Sequence, residues 1–365
     1  MPRTHSAAII GLGGFSRRHA QAYAMVPGVR VAAACDLVPE RFDRWLEHVR
    51  PFVADDIRFY ADAAEMLKAE SPELVSITTK HDAHAPLTIL CARAGVKGVY
   101  CEKPIAMNLR EADAMLDACE RSGTKLAIGH QRRFNQEWLA GLRLLKRGTI
   151  GRPILAVSRW PDSDVSKYRY DLFGGGPLMW LSIHSIDLLR FFLEDVEWVL
   201  AQVDMGEPRI DVETRVYALL HFESGAQAVV ESGQGIGPAA TIGHSIVFYG
   251  DEGTLHVCDG CGARYKTRRN PRWRSARLNQ ETLPWQIGIN YACADEIRDL
   301  IRAIERDDEP RCSGREGRAA LEVAMAIYES ERTGGIVRLP LGKRTSPLLE
   351  MVRRGGYGEV TWQAE

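Results

Sequence analysis

A histidine and an aspartate three residues apart, in the middle of the chain, are the first residues that could do chemistry. The apolar spacing around them is that of a helix, so His184 and Asp187 are predicted on one face, with Trp180 four residues earlier on the same face. A neutral imidazole can accept a hydroxyl proton near neutral pH. An acid at position 180 would make an obvious relay with it, but an indole stands there. The stretch is either a modified active site or core packing alone.

A glycine-rich loop near the start of the chain predicts a cradle for the phosphates of a dinucleotide. A short apolar run precedes the loop as a strand, and a helical pattern follows it. The first glycine permits the tight turn, and the second lets the backbone approach a pyrophosphate. The helix N-terminus offers free N–H groups and the positive end of the helix dipole. The predicted loop consists of Gly11, Gly13, Gly14, Phe15 and Ser16, the serine replacing the usual third glycine.

An acid ends the second predicted strand. Asp36 stands about 20–25 residues beyond the glycines, where a carboxylate can bind both ribose hydroxyls of NAD and repel the extra phosphate of NADP. Arg41 lies close by and could soften that repulsion. The sequence therefore predicts NAD as the cofactor, with NADP not excluded.

Polar residues follow the next two predicted strands, at the carboxyl end where open α/β sheets bind ligands. The strand at 74–79 lacks polar–apolar alternation, which is typical of a buried parallel sheet. A second strand ends in the tripeptide Glu-Lys-Pro. The cofactor-binding residues predicted here are Thr78, Thr79, His81, His84, Glu102, Lys103 and Pro104.

Strand-like runs and short turns dominate the second half of the chain. The turns "ESGA" and "GDEGT" are typical of hairpins, which indicates a largely antiparallel sheet. A helix is predicted at 136–148, before these runs. The stretch 288–310 predicts a long helix that packs back toward the first domain.

Composition and charge bound the possible functions. A chain of 365 residues suggests two domains, and the net charge of −1 favours neither nucleic acid nor an anionic membrane. No apolar run reaches the roughly 18–20 residues of a membrane span. The first residues are too glycine-rich for a signal peptide, so a cytoplasmic location is expected.

The eight cysteines are scattered and do not form the framework of a small disulfide-rich fold. Cys258 and Cys261 make one CxxC pair, with His256 just before it. A structural zinc site usually needs a second pair of ligands, and none is evident. The pair is interpreted as two thiols at a hairpin tip, and no metal site is predicted.

The motifs "GLGGFSRRHA", "CDLVPER", "TTKHDAHAPL", "AGVKGVYCEKPIA" and "HSIDLLRF" occur in the order found in the Gfo/Idh/MocA oxidoreductases, the glucose–fructose oxidoreductase and inositol dehydrogenase family. The chain resembles this family from about residue 6 to about residue 340. The resemblance implies a cis peptide bond before Pro104 that holds Lys103 beside the nicotinamide. There the lysine would orient the substrate oxygen or assist proton transfer. A lysine beside a cationic ring should have a lowered pKa, which suits proton transfer near neutrality.

The family pattern also assigns the stretch discussed first. Its dehydrogenases pair an Asp with the His, and the His acts as base on the reacting hydroxyl. His184 and Asp187 match this pattern, whereas Trp180 departs from it. The resemblance therefore supports Lys103 and His184 as catalytic residues. Asp187 could orient His184, or it could equally cap a helix or form a salt bridge.

Residues for substrate binding are predicted around this stretch. The polar, aromatic segment "SKYRYDLFGGG" resembles a substrate lid, and Trp180 offers a wall that could stack on a sugar ring. Two arginines at the predicted domain crossing could meet substrate or pyrophosphate, or form a salt bridge. The predicted substrate residues are Arg132, Arg133, Tyr168, Tyr170, Trp180 and Asp187.

These observations and the resemblance predict an α/β protein, with a Rossmann dinucleotide-binding domain at 1–130. The second domain, at 131–365, is α+β with a large, mostly antiparallel open sheet, through which a homodimer or homotetramer is expected. The predicted function is hydride transfer between a sugar or cyclic polyol and NAD. The alternatives are a redox-neutral sugar lyase or glycosidase that oxidises its substrate transiently, and a non-catalytic sensor of dinucleotide or sugar.

Overall fold

Strands of the described chain form two sheets. The computed structural model describes residues 5–162, 175–204, 212–234, 243–278 and 285–353, and all structural statements concern these ranges. The strands are β1 (His5–Ile10), β2 (Val29–Cys35), β3 (Arg58–Tyr60), β4 (Leu74–Ile77), β5 (Gly98–Cys101), β6 (Lys125–Ile128), β7 (Pro153–Asp162), β8 (Val196–Asp204), β9 (Arg215–Phe222), β10 (Gln227–Gln234), β11 (Ser245–Gly250), β12 (Gly253–Cys258), β13 (Gly262–Thr267), β14 (Arg274–Ser275) and β15 (Val337–Arg338).

Helices alternate with the first six strands and flank the later ones. The α-helices are α1 (Ser16–Ala24), α2 (Glu40–Val49), α3 (Ala63–Glu70), α4 (His84–Arg93), α5 (Leu109–Ser122), α6 (Gln136–Lys146), α7 (Ile183–Leu193), α8 (Trp285–Arg306), α9 (Gly314–Thr333) and α10 (Pro347–Arg353). Short 3₁₀ turns occur at Arg50–Phe52, His81–Ala83 and Gln131–Phe134, and a π-helical turn occurs at Leu178–Ser182.

The first sheet has the strand order of dinucleotide-binding folds. Its six strands run parallel in the order β3-β2-β1-β4-β5-β6. Every residue of β4 and β5 is buried, as expected for central strands covered on both faces. The predicted Rossmann fold of the first half is confirmed.

The compact unit around this sheet contains residues 5–135 and also Gln286–Arg318. Helix α8 packs on β5, because Gly98 lacks the side chain that would strike Leu300 and Ile304. The Tyr100 hydroxyl in β5 donates a hydrogen bond to Glu296 Oε2 at 2.9 Å. The sequence suggested a single division after residue 130. The contacts instead keep the turn at Gln131–Phe134 in this unit, and α8, the long helix expected to pack back toward the first domain, belongs to it as well.

The second sheet belongs to the other compact unit, which lies within Gln136–Trp285 and resumes at residue 319. Its order is β14-β13-β12-β11-β7-β10-β9-β8-β15, and β7 and β10 are its parallel pair. The remaining pairs are antiparallel. The predicted mostly antiparallel sheet is confirmed. The sequence missed the parallel pair, because chain order alone does not show which strands become neighbours.

One face of the second sheet is covered by helices. Residues on β9 alternate between buried and more exposed positions, which is the pattern of a sheet with one covered face. Helix α6 contacts β12 and β13, and α7 contacts β7. The close approach of α6 needs a glycine, since a Cβ on Gly141 would lie 2.5 Å from the Val257 side chain.

In the described ranges, each helix is too short or too polar to cross a bilayer.

Candidate active site

The predicted glycine loop lies between β1 and α1 and is too tightly packed for a side chain at its first position. Gly11 has φ of +90°, and a Cβ there would lie 2.7 Å from Thr79 Cγ2 and 2.9 Å from the Thr78 carbonyl carbon. The Thr78 hydroxyl donates to the Gly11 oxygen at 2.6 Å. Thr78 and Thr79, at the end of β4, therefore pack against one side of the loop.

The upper side of the loop is open. Gly13 and Gly14 are exposed, and the Ser16 hydroxyl, at the first residue of α1, donates to the Gly13 oxygen. Phe15, the residue before α1, contributes no side-chain cap, and the first turn contains no acid. Its backbone N–H groups can thus face an anion. These features fit the pyrophosphate of a dinucleotide.

Asp36 is fixed directly after β2, as predicted. Its carboxylate is buried and accepts hydrogen bonds from the backbone N–H of Leu12 at 2.8 Å and of Val38 at 2.9 Å. Arg41 Nη1 lies 3.3 Å from Asp36 Oδ1, and the arginine side chain is 56% exposed. A fixed acid beside a movable arginine suits a ribose site that favours NAD.

The Glu102-Lys103-Pro104 turn follows β5, and its Lys103–Pro104 peptide bond is cis. His84, which is fully buried at the start of α4, places Nδ1 2.8 Å from the Pro104 oxygen and Nε2 3.3 Å from the Thr79 oxygen. Burial lowers the pKa of His84, so the neutral ring donates to one carbonyl at a time. The ring holds the turn in place and does not point at a ligand.

Glu102 lies beneath the turn. Its Oε1 pairs with His19 Nε2 at 3.1 Å, and its Oε2 accepts from the Lys103 backbone N–H at 3.3 Å. His19 stacks on Tyr100 with ring centroids 4.4 Å apart. The predicted cofactor contact of Glu102 is therefore replaced by a buried pair that anchors the lysine. Nothing near His19 in the sequence signals this role, because its partner lies 83 residues away.

Lys103 is partly exposed above this pair. The pKa of its ammonium is lowered to about 8. Burial is the main cause, Glu102 acts in the opposite direction, and the charge of Arg132 lowers the pKa further. The lysine can therefore exchange a proton near neutral pH.

The two predicted arginines have different surroundings. Arg133 is buried and forms an ion pair with Glu316 at 2.9 Å, while also donating to the Arg311 backbone oxygen at 3.2 Å. Its predicted substrate contact is not supported, because these partners hold its guanidinium inside the first unit. Arg132 is also buried, and its charge acts on Lys103.

Two further predicted cofactor residues lie at the end of β4. The His81 side chain is buried, with its ring 5.6 Å from that of His84. Thr79 is partly exposed and donates to the Lys80 oxygen at 3.2 Å. Both lie at the carboxyl edge of the sheet, close to the glycine loop.

In the second unit, His184 and Asp187 both lie on α7 and are buried. Trp180 is not on the preceding α-helical turn, because Leu178–Ser182 is a π-helical turn, with one more residue in each hydrogen-bonded ring. Trp180 therefore lies in the turn that precedes α7, and its indole is more exposed than the imidazole of His184. Such π turns are frequent at functional sites.

A buried acid at the start of this turn was missed by the sequence interpretation. Glu213 accepts hydrogen bonds from the backbone N–H of Gly176 at 3.2 Å and of Leu178 at 3.0 Å, and from the Tyr328 hydroxyl at 2.8 Å. A Cβ on Gly176 would overlap the Glu213 backbone oxygen. Burial raises the pKa of Glu213 to about 7, against the hydrogen bonds that lower it. Its only sequence signal is one acid before an apolar strand.

A second histidine lies behind His184. The Trp160 ring is 6.4 Å from that of His184, and it stacks on His244 at 4.5 Å with an angle of 9° between the rings. His244 Nδ1 is 3.6 Å from Asp259 Oδ2. The Trp160 ring therefore separates His184 from an acid–histidine pair formed by Asp259 and His244.

The predicted lid residues Tyr168 and Tyr170 lie outside the described residues. Within the described ranges, no group of three or more His, Cys, Asp or Glu side chains is arranged to hold a metal ion.

Comparison with known proteins agrees with the geometry. Residues 5–130 match an oxidoreductase family with an NAD-binding Rossmann fold, and residues 139–256 match the Gfo/Idh/MocA C-terminal domain. A D-apiose dehydrogenase from Paraburkholderia graminis is 30% identical over 95% of this chain and 93% of that protein. The chain belongs to the Gfo/Idh/MocA oxidoreductase family. The predicted family and NAD cofactor are confirmed, and the chain is an NAD-binding oxidoreductase.

Two further relatives cover nearly the same length. A myo-inositol 2-dehydrogenase from Thermotoga maritima is 26% identical over 88% of this chain and 95% of that protein. The crystal structure of an aldose-aldose oxidoreductase from Caulobacter crescentus, complexed with glycerol, has a TM-score of 0.78 at 26% identity and covers 92% of this chain and 100% of that one. These relatives are named as dehydrogenases or oxidoreductases, and none is named as a lyase or a sensor.

Replacing Asp36 should change the choice of cofactor. Asp36→Asn keeps an oxygen for the Leu12 N–H but loses the charge that repels a 2′-phosphate. We expect kcat/KM for NAD to fall by about tenfold and that for NADP to rise, because one charge-assisted hydrogen bond is worth about 1.5 kcal/mol. Arg41→Ala in the same background should remove the gain with NADP. Unchanged kinetics with both cofactors in Asp36→Asn would contradict this ribose site.

The raised pKa of Glu213 predicts a pH-dependent stability. Between its ordinary value of 4.5 and about 7, the folded protein keeps a proton that the unfolded chain has lost, so this stabilisation falls as pH rises through that window. The Tm of the wild type minus the Tm of Glu213→Gln should be larger at pH 5 than at pH 8. Tyr328→Phe keeps the carboxyl group and should follow the wild type. A pH-independent difference from Glu213→Gln would refute the shift.

Proposed function

We propose that the protein oxidises a hydroxyl-bearing carbon of a sugar or cyclic polyol with NAD as hydride acceptor. The observation that carries the proposal is Lys103, whose pKa of about 8 and buried supports suit proton transfer beside the NAD-binding loop. Bound NAD supplies the acceptor for the hydride. The residues of the chain bind the substrate hydroxyl and take its proton.

Lys103 and His184 are the proposed catalytic residues. The neutral amine of Lys103 accepts the hydroxyl proton as the C–H bond gives up its hydride, because loss of the proton must accompany formation of the carbonyl. His184 shares this proton and orients the hydroxyl through its ring. Glu102 and His84 act as positioning residues for the lysine, and Glu213 acts as one for the turn that precedes His184.

The choice of sugars and polyols rests on the relatives and on the indole. The relatives named above include enzymes called apiose and inositol dehydrogenases. Trp180 is partly exposed at its π-helical turn, and a flat apolar ring can pack on the C–H face of a sugar. Arg132, Asp187, Tyr168 and Tyr170 remain predicted substrate residues.

The first experiment is NADH formation by the purified protein with NAD and a panel of pentoses, cyclic polyols, sugar acids and glycosides. We expect turnover with at least one member, and a loss of about 10²–10⁴-fold in kcat for Lys103→Ala. Lys103→Arg keeps the charge but cannot lose its proton, so it should be as inactive. Absence of NADH with every compound, together with NADH retained in the purified protein, would instead favour the redox-neutral alternative.

The pKa of Lys103 predicts how this activity depends on pH. Below about pH 8 the lysine is protonated and accepts no proton, so kcat/KM for oxidation should rise with pH through a midpoint near 8. His184→Gln should lower kcat but retain this midpoint, since it leaves the lysine intact. The midpoint would belong to another group if it moved in His184→Gln and persisted in Lys103→Arg.

We also propose that copies of the chain associate through the uncovered face of the second sheet. We propose as well that the protein acts in the cytoplasm, which fits the absence of disulfides among its eight cysteines. Leu200, Tyr217 and Tyr249 are at least 40% exposed. Strand register places them on one face with other partly exposed apolar side chains. These are Leu155, Val157, Trp198, Leu219, Val229 and Val247. So large an apolar face is typical of an interface.

Charge on that face should separate the copies. We expect the wild-type protein to have the mass of two or four chains in light scattering after gel filtration. The double variant Leu200→Lys, Tyr217→Lys should shift toward one chain, because it places two charges in the apolar interface. Glu223→Lys, in the exposed β9–β10 turn, is the matched control and should keep the wild-type mass. A double variant of unchanged mass would rule out this face.

A further inference from the structure

The turn between β12 and β13 brings two cysteines together. Cys258 ends β12, and the Cys261 N–H donates to the Cys258 oxygen at 3.2 Å, which closes a four-residue β-turn. The first and last Cα atoms of such a turn lie within about 7 Å, which overlaps the spacing of about 4.4–6.8 Å in disulfides. Burial and a hydrogen bond with the Cys261 thiol raise the pKa of Cys258. The two sulfurs therefore face each other.

The two thiols differ in access. All eight cysteines lie in the described part of the chain, and Cys261 is exposed while the other seven are buried. An oxidant thus meets Cys261 first, and Cys258 stands next to it as the resolving thiol. An accessible cysteine beside a resolving one is the usual arrangement of a redox-sensitive pair.

The turn is connected to the histidine of α7 through aromatic contacts of the second unit. Asp259, between the two cysteines, accepts from Trp138 Nε1 at 2.7 Å and lies 3.6 Å from His244 Nδ1. The Asp259 N–H donates to the His244 oxygen at 3.0 Å. His244 stacks on Trp160, and Trp160 in turn lies 6.4 Å from His184. A movement of Asp259 therefore reaches the proposed base through two ring contacts.

We propose that Cys258 and Cys261 form a reversible disulfide, with a low-molecular-weight disulfide such as oxidised glutathione as oxidant, and that this bond lowers the activity of the α7 site. The Cys261 thiolate, after losing its proton to solvent, attacks one sulfur of the oxidant and releases one thiolate. Cys258 then gives its proton to solvent and attacks the Cys261 sulfur, which releases the second thiolate, and both released thiolates take up a proton from solvent. Two protein thiols are oxidised, and the oxidant is reduced to two thiols.

The new bond must displace the turn. A disulfide requires an S–S distance of about 2.05 Å and a dihedral angle near 90°, whereas the Cys258 thiol donates to the Asp259 backbone oxygen at 3.6 Å, a contact that the new bond would break. Asp259 and its bonds to Trp138 and His244 lie between the two cysteines and shift with them. We expect kcat to fall by about fivefold, since small misplacements of a catalytic group reduce rates strongly.

The test treats the purified full-length protein with oxidised glutathione, alkylates the remaining thiols and maps the peptides by mass spectrometry. We expect a Cys258–Cys261 disulfide that dithiothreitol reverses, with a parallel loss and recovery of kcat. Tryptophan emission should change with it, and this change should be smaller in Trp138→Phe, which lacks the indole that donates to Asp259. Cys261→Ser should prevent all three effects. Cys119→Ser, a buried cysteine of the first unit, is the matched control and should respond as the wild type does.

Two outcomes would overturn the proposal. One is a glutathione adduct that persists on Cys261 in the wild type. Such an adduct is expected only in Cys258→Ser, which lacks the second thiol that displaces glutathione. The other is a disulfide that changes neither kcat nor tryptophan emission. Only the kcat readout rests on the proposed function. If no sugar is oxidised, the peptide map and the emission still decide whether the thiols react and move Asp259.

Discussion

The buried contact of Glu102 with His19 and the Lys103 backbone is the interaction on which the proposed chemistry depends. A carboxylate inside a protein is costly unless partners satisfy it, and here a histidine and a backbone N–H do so. The same carboxylate raises the pKa of Lys103 against the larger effect of burial, so the amine titrates near pH 8 rather than far below. One buried acid therefore fixes both the position and the basicity of the lysine.

The end of β4 links this lysine to the cofactor loop. Thr78 donates to the Gly11 oxygen, and the Thr79 oxygen faces His84, whose ring also faces the Pro104 oxygen. The side chain absent from Gly11 makes room for the same two threonines. The glycine loop and the lysine turn are thus held by one strand end, so a change in either is transmitted to the other. This explains why small residues and a fully buried histidine meet at this edge of the sheet.

The sequence predicted those parts of the site whose partners are local and whose spacing is fixed by one element. The glycine loop, Asp36 and the lysine turn each follow a strand, and the end of a strand can be located from the end of its apolar run. For Arg133 a salt bridge was one of the alternatives, but the sequence could not name its partner, because Glu316 lies 183 residues along the chain. The π-helical turn that contains Trp180 was not predicted, because apolar spacing alone does not distinguish it from an α-helical turn. Glu213 itself carries no motif.

The indole at position 180 removes an acid that would serve His184 in two ways: by orienting the imidazole and by stabilising it once protonated. Orientation has another source in this chain, because His184 is buried on α7 beside Trp160, and Glu213 anchors the turn that leads into the helix. Stabilisation of a protonated imidazole matters less where a second base shares the proton. Lys103, with its pKa of about 8, is such a base in the proposed reaction. In that proposal, the lysine can accept the hydroxyl proton at slightly alkaline pH without an acid at position 180.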